Sequence, residues 1–261
     1  SADILLVNTC VVRQNAEDRA SWFVTSMKNL KVQNPRLKIV LCGCLVSEPG
    51  RDVKKRFPHV DLFIGPNEPE KLKQYLNSPP LSPSLDKRGG GESSLLAGGE
   101  FVTIMHGCDN FCSYCVVPYV RGREVSRPMA DVLAEVKGLI EQGVTDITLL
   151  GQNVNSYKPG LARLLREISS IQSSPANPKG VRISFLTSHP KDLTDEIIET
   201  VAELSCVAKD FMIPLQSGDN EILKQMNRGY TVEYFIDRVA KIRALMPLAT
   251  ISTDLLVGFP G

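Results

Sequence analysis

The stretch His106-Gly107-Cys108-Asp109-Asn110-Phe111-Cys112-Ser113-Tyr114-Cys115 sets three thiols at a C-x3-C-x2-C spacing, short enough to bring them into one loop. Thiolate is the soft ligand that iron–sulfur clusters and zinc both accept. A closed zinc site needs a fourth protein ligand, and His106 is the nearby candidate. Three cysteines alone suit a four-iron four-sulfur (4Fe-4S) cluster, which then keeps one iron open and reactive. Tyr114, between the second and third cysteines, either packs beside the loop or covers a cluster or an adenine. The chain holds seven cysteines, six of them in two groups. That odd, clustered usage points to metal ligation in a reducing compartment and not to a disulfide framework.

Other polar groupings carry two readings each. Arg121, Arg123 and Arg127, spaced along a loop with Tyr119, form either a local platform for phosphate and base or a face paired with carboxylates such as Glu124. Arg228 and Tyr230 share that ambiguity. Gly151-Gln152-Asn153 offers a glycine that lets backbone approach a ligand and two amides that can satisfy its polar groups, or it is a bare turn. His189 precedes a proline and reads as a strand terminator with no catalytic role.

The elements that must hold these residues follow from periodicity. Apolar strands at 4–7, 38–42 and 60–64 alternate with helical patterns at 16–32, 51–57 and 69–76, which short connections force into a parallel sheet covered by helices. A stretch of Ser, Pro and Gly over 78–99 cannot sustain helix or ladder pairing and reads as a flexible linker. Beyond it, strands at 101–105, 146–150, 181–186, 211–215 and 251–257 alternate with helices at 129–142, 162–172, 195–204, 221–226 and 232–246. The fold class is therefore α/β: a first parallel βα sheet domain over 1–77, then a partial (βα) barrel over 100–261 with its site at the strands' C-terminal ends. Cys42 is expected on the opposite face of its strand, as a small buried thiol, and Cys206 in a helix tail reads the same way.

With 261 residues, 43% of them apolar and 23% charged, the chain can bury a sizeable core, which excludes disorder and a miniprotein. A net charge of +1 supplies no global field for a polyanion, so any contact with nucleic acid must be a local patch. No apolar run reaches the roughly twenty residues of a membrane span, and the start lacks a signal peptide's basic region and cleavage site, which together suggest a cytoplasmic or organellar-matrix chain without membrane contact. Both ends look cut: Ser1-Ala2-Asp3 runs straight into a strand, and 254–261 is a strand leading into a turn, so an element is expected on either side.

The triad after the first strand of a βα barrel resembles the signature of the radical S-adenosylmethionine (SAM) superfamily. Val117-Pro118-Tyr119-Val120-Arg121-Gly122-Arg123, Leu150-Gly151-Gln152-Asn153, Thr187-Ser188-His189-Pro190, Pro214-Leu215-Gln216-Ser217-Gly218 and Met226-Asn227-Arg228-Gly229-Tyr230-Thr231 narrow that likeness to the methylthiotransferases, and within them to the MiaB group that modifies tRNA. The resemblance implies a SAM-binding 4Fe-4S cluster on Cys108, Cys112 and Cys115. It implies SAM contacts at Tyr114, Gly151, Gln152, Asn153, Gln216, Ser217, Leu256 and Val257, and substrate contacts at Arg121, Arg123, Arg127 and Arg228. It further implies a second 4Fe-4S cluster in the full-length protein, with Cys10 and Cys44 as two of three ligands and the third upstream. The implied reaction is methylthio transfer to C2 of N6-isopentenyl-adenosine beside the anticodon, by a monomer supplied with electrons by a flavodoxin or ferredoxin. On that basis this chain alone is expected to fail at thiolation. The alternatives are a methylthiotransferase acting on threonylcarbamoyl-adenosine or on a ribosomal protein, and a non-catalytic, zinc-stabilised RNA-binding module.

Overall fold

The computed structural model of the protein describes residues 4–11, 14–50, 52–76, 99–172 and 180–260; the linker expected over 78–99 lies outside them but for Gly99. The chain divides into two compact units, Ser1–Ser93 with Cys115–Gly122, and Ser94–Tyr114 with Arg123–Gly261.

In the first unit, β1 (Ile4–Thr9), β2 (Lys38–Gly43) and β3 (Leu62–Ile64) form a parallel sheet in that order. Parallel neighbours cannot be joined by a hairpin, so α1 (Gln14–Gln33) makes one crossover, α2 (Val53–Arg56) lies on the next, and α3 (Pro69–Leu76) follows β3. The central strand β2 reads Ile39-Val40-Leu41, all fully buried, as a strand covered on both faces must. Val24 and Met27 of α1 close on Ile39, Leu41, Leu45 and Phe57 to form the core, each large side chain contributing about 1.5–3 kcal/mol by leaving water. A short helix, α4 (Val117–Arg121), also belongs to this unit: it packs against the tight turn Cys44–Ser47, and Asn67 Nδ2 donates to Arg121 O at 2.7 Å.

In the second unit, β4 (Glu100–Thr103), β7 (Asp146–Leu150) and β8 (Arg182–Phe185) are parallel in the order β4-β7-β8, and β9 (Asp210–Met212) pairs in parallel with β10 (Thr250–Ser252). Ile183 N donates to Cys206 O and Ala208 N to Ile183 O, so the segment entering β9 continues the series from β8. The crossovers carry α5 (Met129–Glu141), α6 (Leu161–Ser170), α7 (Asp195–Glu203), α8 (Asn220–Gln225) and α9 (Val232–Leu245). Thr194, Asp219 and Thr231 cap the last three through side-chain oxygens that accept backbone N–H bonds. Val102, Leu149, Ile183 and Phe211 of the strands meet Val136, Leu164, Leu165 and Ile198 of the helices in one buried cluster.

Three local expectations are corrected. The strand expected over 101–105 breaks at Ile104, because Ile104 N bonds to Leu150 O on one side while its own carbonyl accepts from Arg127 N on the other. Past that point β5 (Met105–His106) turns into an antiparallel pair with β6 (Val125–Ser126). The last strand ends at Ser252, and Leu256 and Val257 lie beyond it, partly and almost fully exposed, so they are not barrel interior. Tyr119 and Arg121, expected on a loop, are helical.

Candidate functional site

The cysteine loop springs from β5 and is held from outside itself. Gly107 turns at φ 74° and Phe111 at φ 47°, a left-handed conformation that an aromatic residue adopts only where its surroundings impose it. Those surroundings come from the end of α8. Ser113 N donates to Met226 O at 3.1 Å and Ser113 Oγ to Gln225 O at 2.9 Å, while Asn227 Nδ2 donates to Asn110 O and Phe111 O at 3.1 and 3.0 Å. Asp109 ties down the exit by accepting from Glu124 N at 2.9 Å and pairing with Arg123 at 3.0 Å. Cys112 is buried, Cys108 and Cys115 are half-buried, and none of the seven cysteines forms a disulfide. Three thiols on an eight-residue loop, whose one carboxylate, Asp109, is engaged by Glu124 N and Arg123, are a donor set for a soft, multi-iron cluster. Among the described residues no three His, Cys, Asp or Glu side chains gather where a single metal ion could sit.

The arginines divide by partner. Arg123 lies 5.3 Å over the Phe111 ring as well as on Asp109, and Arg127 donates to Thr103 O at 2.6 Å and pairs with Glu135 at 2.7 Å. Both charges are thus paired with carboxylates, one of the two arrangements expected for them, although the Arg123 side chain stays largely exposed. Arg228 is placed differently. It is 5% exposed and donates to Pro214 O at 2.8 Å, to the Tyr230 hydroxyl at 3.1 Å, to the Tyr114 hydroxyl at 3.3 Å and to Cys112 Sγ at 3.4 Å. Arg121, at the end of α4, lines a cavity of the first unit.

The residues expected at SAM separate as well. Gly151 is demanded by packing: a Cβ there would stand 2.4 Å from Met105 Cγ and 3.2 Å from Val154 Cγ1. Asn153 is 1% exposed, donates to Asp192 Oδ2 at 2.6 Å and accepts from His189 N at 3.0 Å, so its amide is engaged within the fold. Gln152 Oε1, by contrast, is buried with no partner, and so is Nε2 of His189. Orphaned buried polar atoms are rare and mark places where a polar ligand fits. Burial, reinforced by the charges of Arg228 and Lys191, pushes the His189 imidazole down to about 3, so the ring is neutral. Its Nδ1 accepts from Lys191 N, which leaves Nε2 carrying the hydrogen as an unsatisfied donor. Gln216 sits at φ 71° with its N–H on Asp254 O and its carbonyl accepting from Leu256 N, and Ser217 Oγ accepts from Asp219 N.

In the first unit, Cys10, Cys42 and Cys44 line one cavity of about 430 Å³ together with Asn8, Thr9 and Arg121. Cys42 lies on β2 and Cys44 opens the tight turn that follows, so strand alternation does not relate the two; half-buried Cys42, expected on the opposite face, lines the same cavity as Cys44. Gly43 between them holds φ 97°, and a Cβ there would lie 2.3 Å from Thr9 O, so only glycine permits the turn that presents Cys44. Burial raises the Cys42 thiol above its ordinary value, and its Sγ donates to Val7 O at 3.4 Å. The cavity position of Cys42 depends on the turn at Gly43, and the buried Nε2 of His189 has no signal in the sequence.

Residues 102–261 match the family model described as the radical SAM superfamily, and residues 1–65 match the uncharacterized protein family UPF0004. The chain is 42% identical over 277 aligned positions to the tRNA-2-methylthio-N(6)-dimethylallyladenosine synthase of Desulfitobacterium hafniense (strain Y51) and 43% identical over 279 to that of Clostridium botulinum (strain Langeland / NCTC 10281 / Type F). All of this chain is covered in both alignments, but it spans 61% of the length of those relatives. Among solved structures, the radical SAM methyltransferase TsrM from Kitasatospora setae, with tryptophan and a SAM analog bound, superposes with a TM-score of 0.70 at 19% identity, covering 100% of this chain and 58% of that one. The cobalamin-dependent radical SAM enzyme OxsB superposes with a TM-score of 0.65 at 16% identity, covering 97% of this chain and 41% of that one. With a partial βα barrel carrying the three-cysteine loop past its first strand, and a family match over most of its length, the chain belongs to the radical SAM superfamily.

Proposed function

We propose that this chain is the catalytic part of a methylthiotransferase that places a methylthio group on C2 of N6-isopentenyl-adenosine beside the anticodon of tRNA. The observation that carries the reading is the cysteine loop, clamped by α8, in a chain 42% identical along its whole length to enzymes named for that product. Cys108, Cys112 and Cys115 would hold a 4Fe-4S cluster, with Tyr114 beside it and Gln152 Oε1 and His189 Nε2 as the buried polar atoms that need a ligand such as SAM. Bound there, the cluster supplies the one-electron reduction of SAM that generates a radical able to take hydrogen from an aromatic carbon, a bond no side-chain base can deprotonate.

The remaining work falls to the fold. α8 and Asp109 fix the loop, and the engaged charges of Arg123 and Arg127 shape its rim. The cavity of Cys10, Cys42 and Cys44 is the place in the first unit suited to a second cluster, with Arg121 at its edge to receive an anion. The partners that suit this reading are tRNA and a low-potential donor such as flavodoxin or ferredoxin, acting on a cytoplasmic monomer. Among the described residues no helix is long and apolar enough to cross a membrane.

The test uses the full-length protein and defined tRNAs, read by nucleoside mass spectrometry. The expected product is the 2-methylthio derivative of isopentenyl-adenosine, abolished when Cys108, Cys112 and Cys115 are all replaced by alanine. Product only on threonylcarbamoyl-adenosine or on a ribosomal protein would redirect the substrate, and a colourless, zinc-loaded protein would remove the enzyme reading altogether.

A further inference from the structure

Arg228 is a buried cation in search of an anion. Its hydrogen-bond partners among the described residues include no carboxylate, and three of the four, Pro214 O and the hydroxyls of Tyr230 and Tyr114, are neutral. The fourth is Cys112 Sγ. An uncompensated buried charge is strongly destabilising, so a fold keeps one only where something balances it. His189, packed edge-on against Tyr230 at 5.6 Å, is neutral and does nothing to screen the guanidinium. The planar fork also explains why arginine stands here: Nε, Nη1 and Nη2 reach different partners at once, and the guanidinium lies 5.2 Å over the Tyr230 ring, which fixes it in place.

We infer that Arg228 is a positioning residue for the cluster on the Cys108, Cys112 and Cys115 loop, its guanidinium donating to the Cys112 sulfur and raising the cluster's reduction potential. The inference rests on the ligation proposed above. The sign follows from charge. One electron from a low-potential donor adds negative charge to the cluster, and a fixed cation hydrogen-bonded to one of its sulfurs stabilises the reduced form more than the oxidised one. Without it, the same donor leaves less of the cluster reduced, and SAM cleavage slows for want of the electron and not for want of binding.

The experiment uses this chain, reconstituted anaerobically with iron and sulfide in a C10A/C44A background so that only the loop's cluster is read. At a fixed low potential, the ratio of reduced to oxidised cluster, read from the electron paramagnetic resonance signal, should fall about tenfold in R228Q, a downward shift of about 59 mV for one electron. R228K, which keeps the charge but loses the fork, should fall less. A second measurement needs no substitution: the reduced cluster of protein labelled with 15N-arginine should show a weak nitrogen coupling in pulsed resonance spectra. R228Q loaded with iron and reduced to the same extent as the parent, or a labelled parent without that coupling, would overturn the inference. Iron retained after Cys108, Cys112 and Cys115 are replaced by alanine would instead remove the ligation reading, and this inference with it.

Discussion

The single residues that matter most in this protein are defined by what surrounds them. His189 is neutral because burial and two neighbouring cations hold its imidazole down to about 3, whereas in the unfolded chain it titrates near 6.5. Between those values the unfolded state binds the extra proton, so this contribution to stability is complete above about pH 6.5 and falls as pH drops toward about 3, by up to about 1.4 kcal/mol per pH unit. Urea unfolding of the cluster-free protein at about pH 7 and about pH 5 should therefore show a smaller loss in His189→Asn than in the parent. Equal losses would mean that the ring is already protonated in the fold. Gly151 makes a second case. Its Cβ has no room beside Met105 and Val154, so Gly151→Ala should cost about 1–3 kcal/mol in urea unfolding, and Met105→Ala in the same chain should recover part of that. A Gly151→Ala protein as stable as the parent would mean the residue was kept for ligand approach after all.

At the scale of elements, the short helix α8 acts as a clamp: its end and Asn227 hold the cysteine loop through bonds to Ser113, Asn110 and Phe111. Asn227 adopts φ 56°, and its amide bridges two loop carbonyls. Asn227→Gly keeps the turn and loses the bridge, which weakens the loop by about 1 kcal/mol for each bond. Asn227→Ala adds roughly 1–2 kcal/mol of left-handed strain. Hydrogen exchange at the Ser113 amide should accelerate in both and more in Asn227→Ala; unchanged exchange would show that the loop holds its shape unaided. Loop and helix are more than a hundred positions apart in the chain, so no local pattern announces the clamp. The βα order was legible because it rests on periods of 2 and 3.6 residues, and the break at Ile104 was not, because it depends on partners at Leu150 and Arg127.

For the whole molecule, the two units carry separate hydrophobic cores that share no residue. Leu41 of β2 and Leu149 of β7 are both fully buried, one in each. Leu41→Ala and Leu149→Ala should each cost about 2–5 kcal/mol, and hydrogen exchange should place the loss among the amides of the mutated unit alone. Spread of either effect across both units would show one cooperative core. The net charge of +1 sets a further expectation: affinity of this chain for tRNA should be weak, with a shallow dependence on salt, because few phosphates can be neutralised. A steep salt slope in filter binding would locate a basic face that the engaged pairs of Arg123 and Arg127 do not supply.

The amino-acid sequence by itself determined the alternation of strand and helix and the three-cysteine loop after the first barrel strand, because each is written in spacing along the chain, and the family likeness rests on its motifs taken together. Only the tertiary structure decided the rest. It took Arg228 out of the solvent and put it against Cys112, turned Asn153 inward to Asp192, and gathered Cys10, Cys42 and Cys44 around one cavity. The physical reason is the same in each case. A charged or polar side chain is assigned its role by the partner that satisfies it, and Arg228 and Cys112 are separated by 116 residues of sequence and 3.4 Å of space.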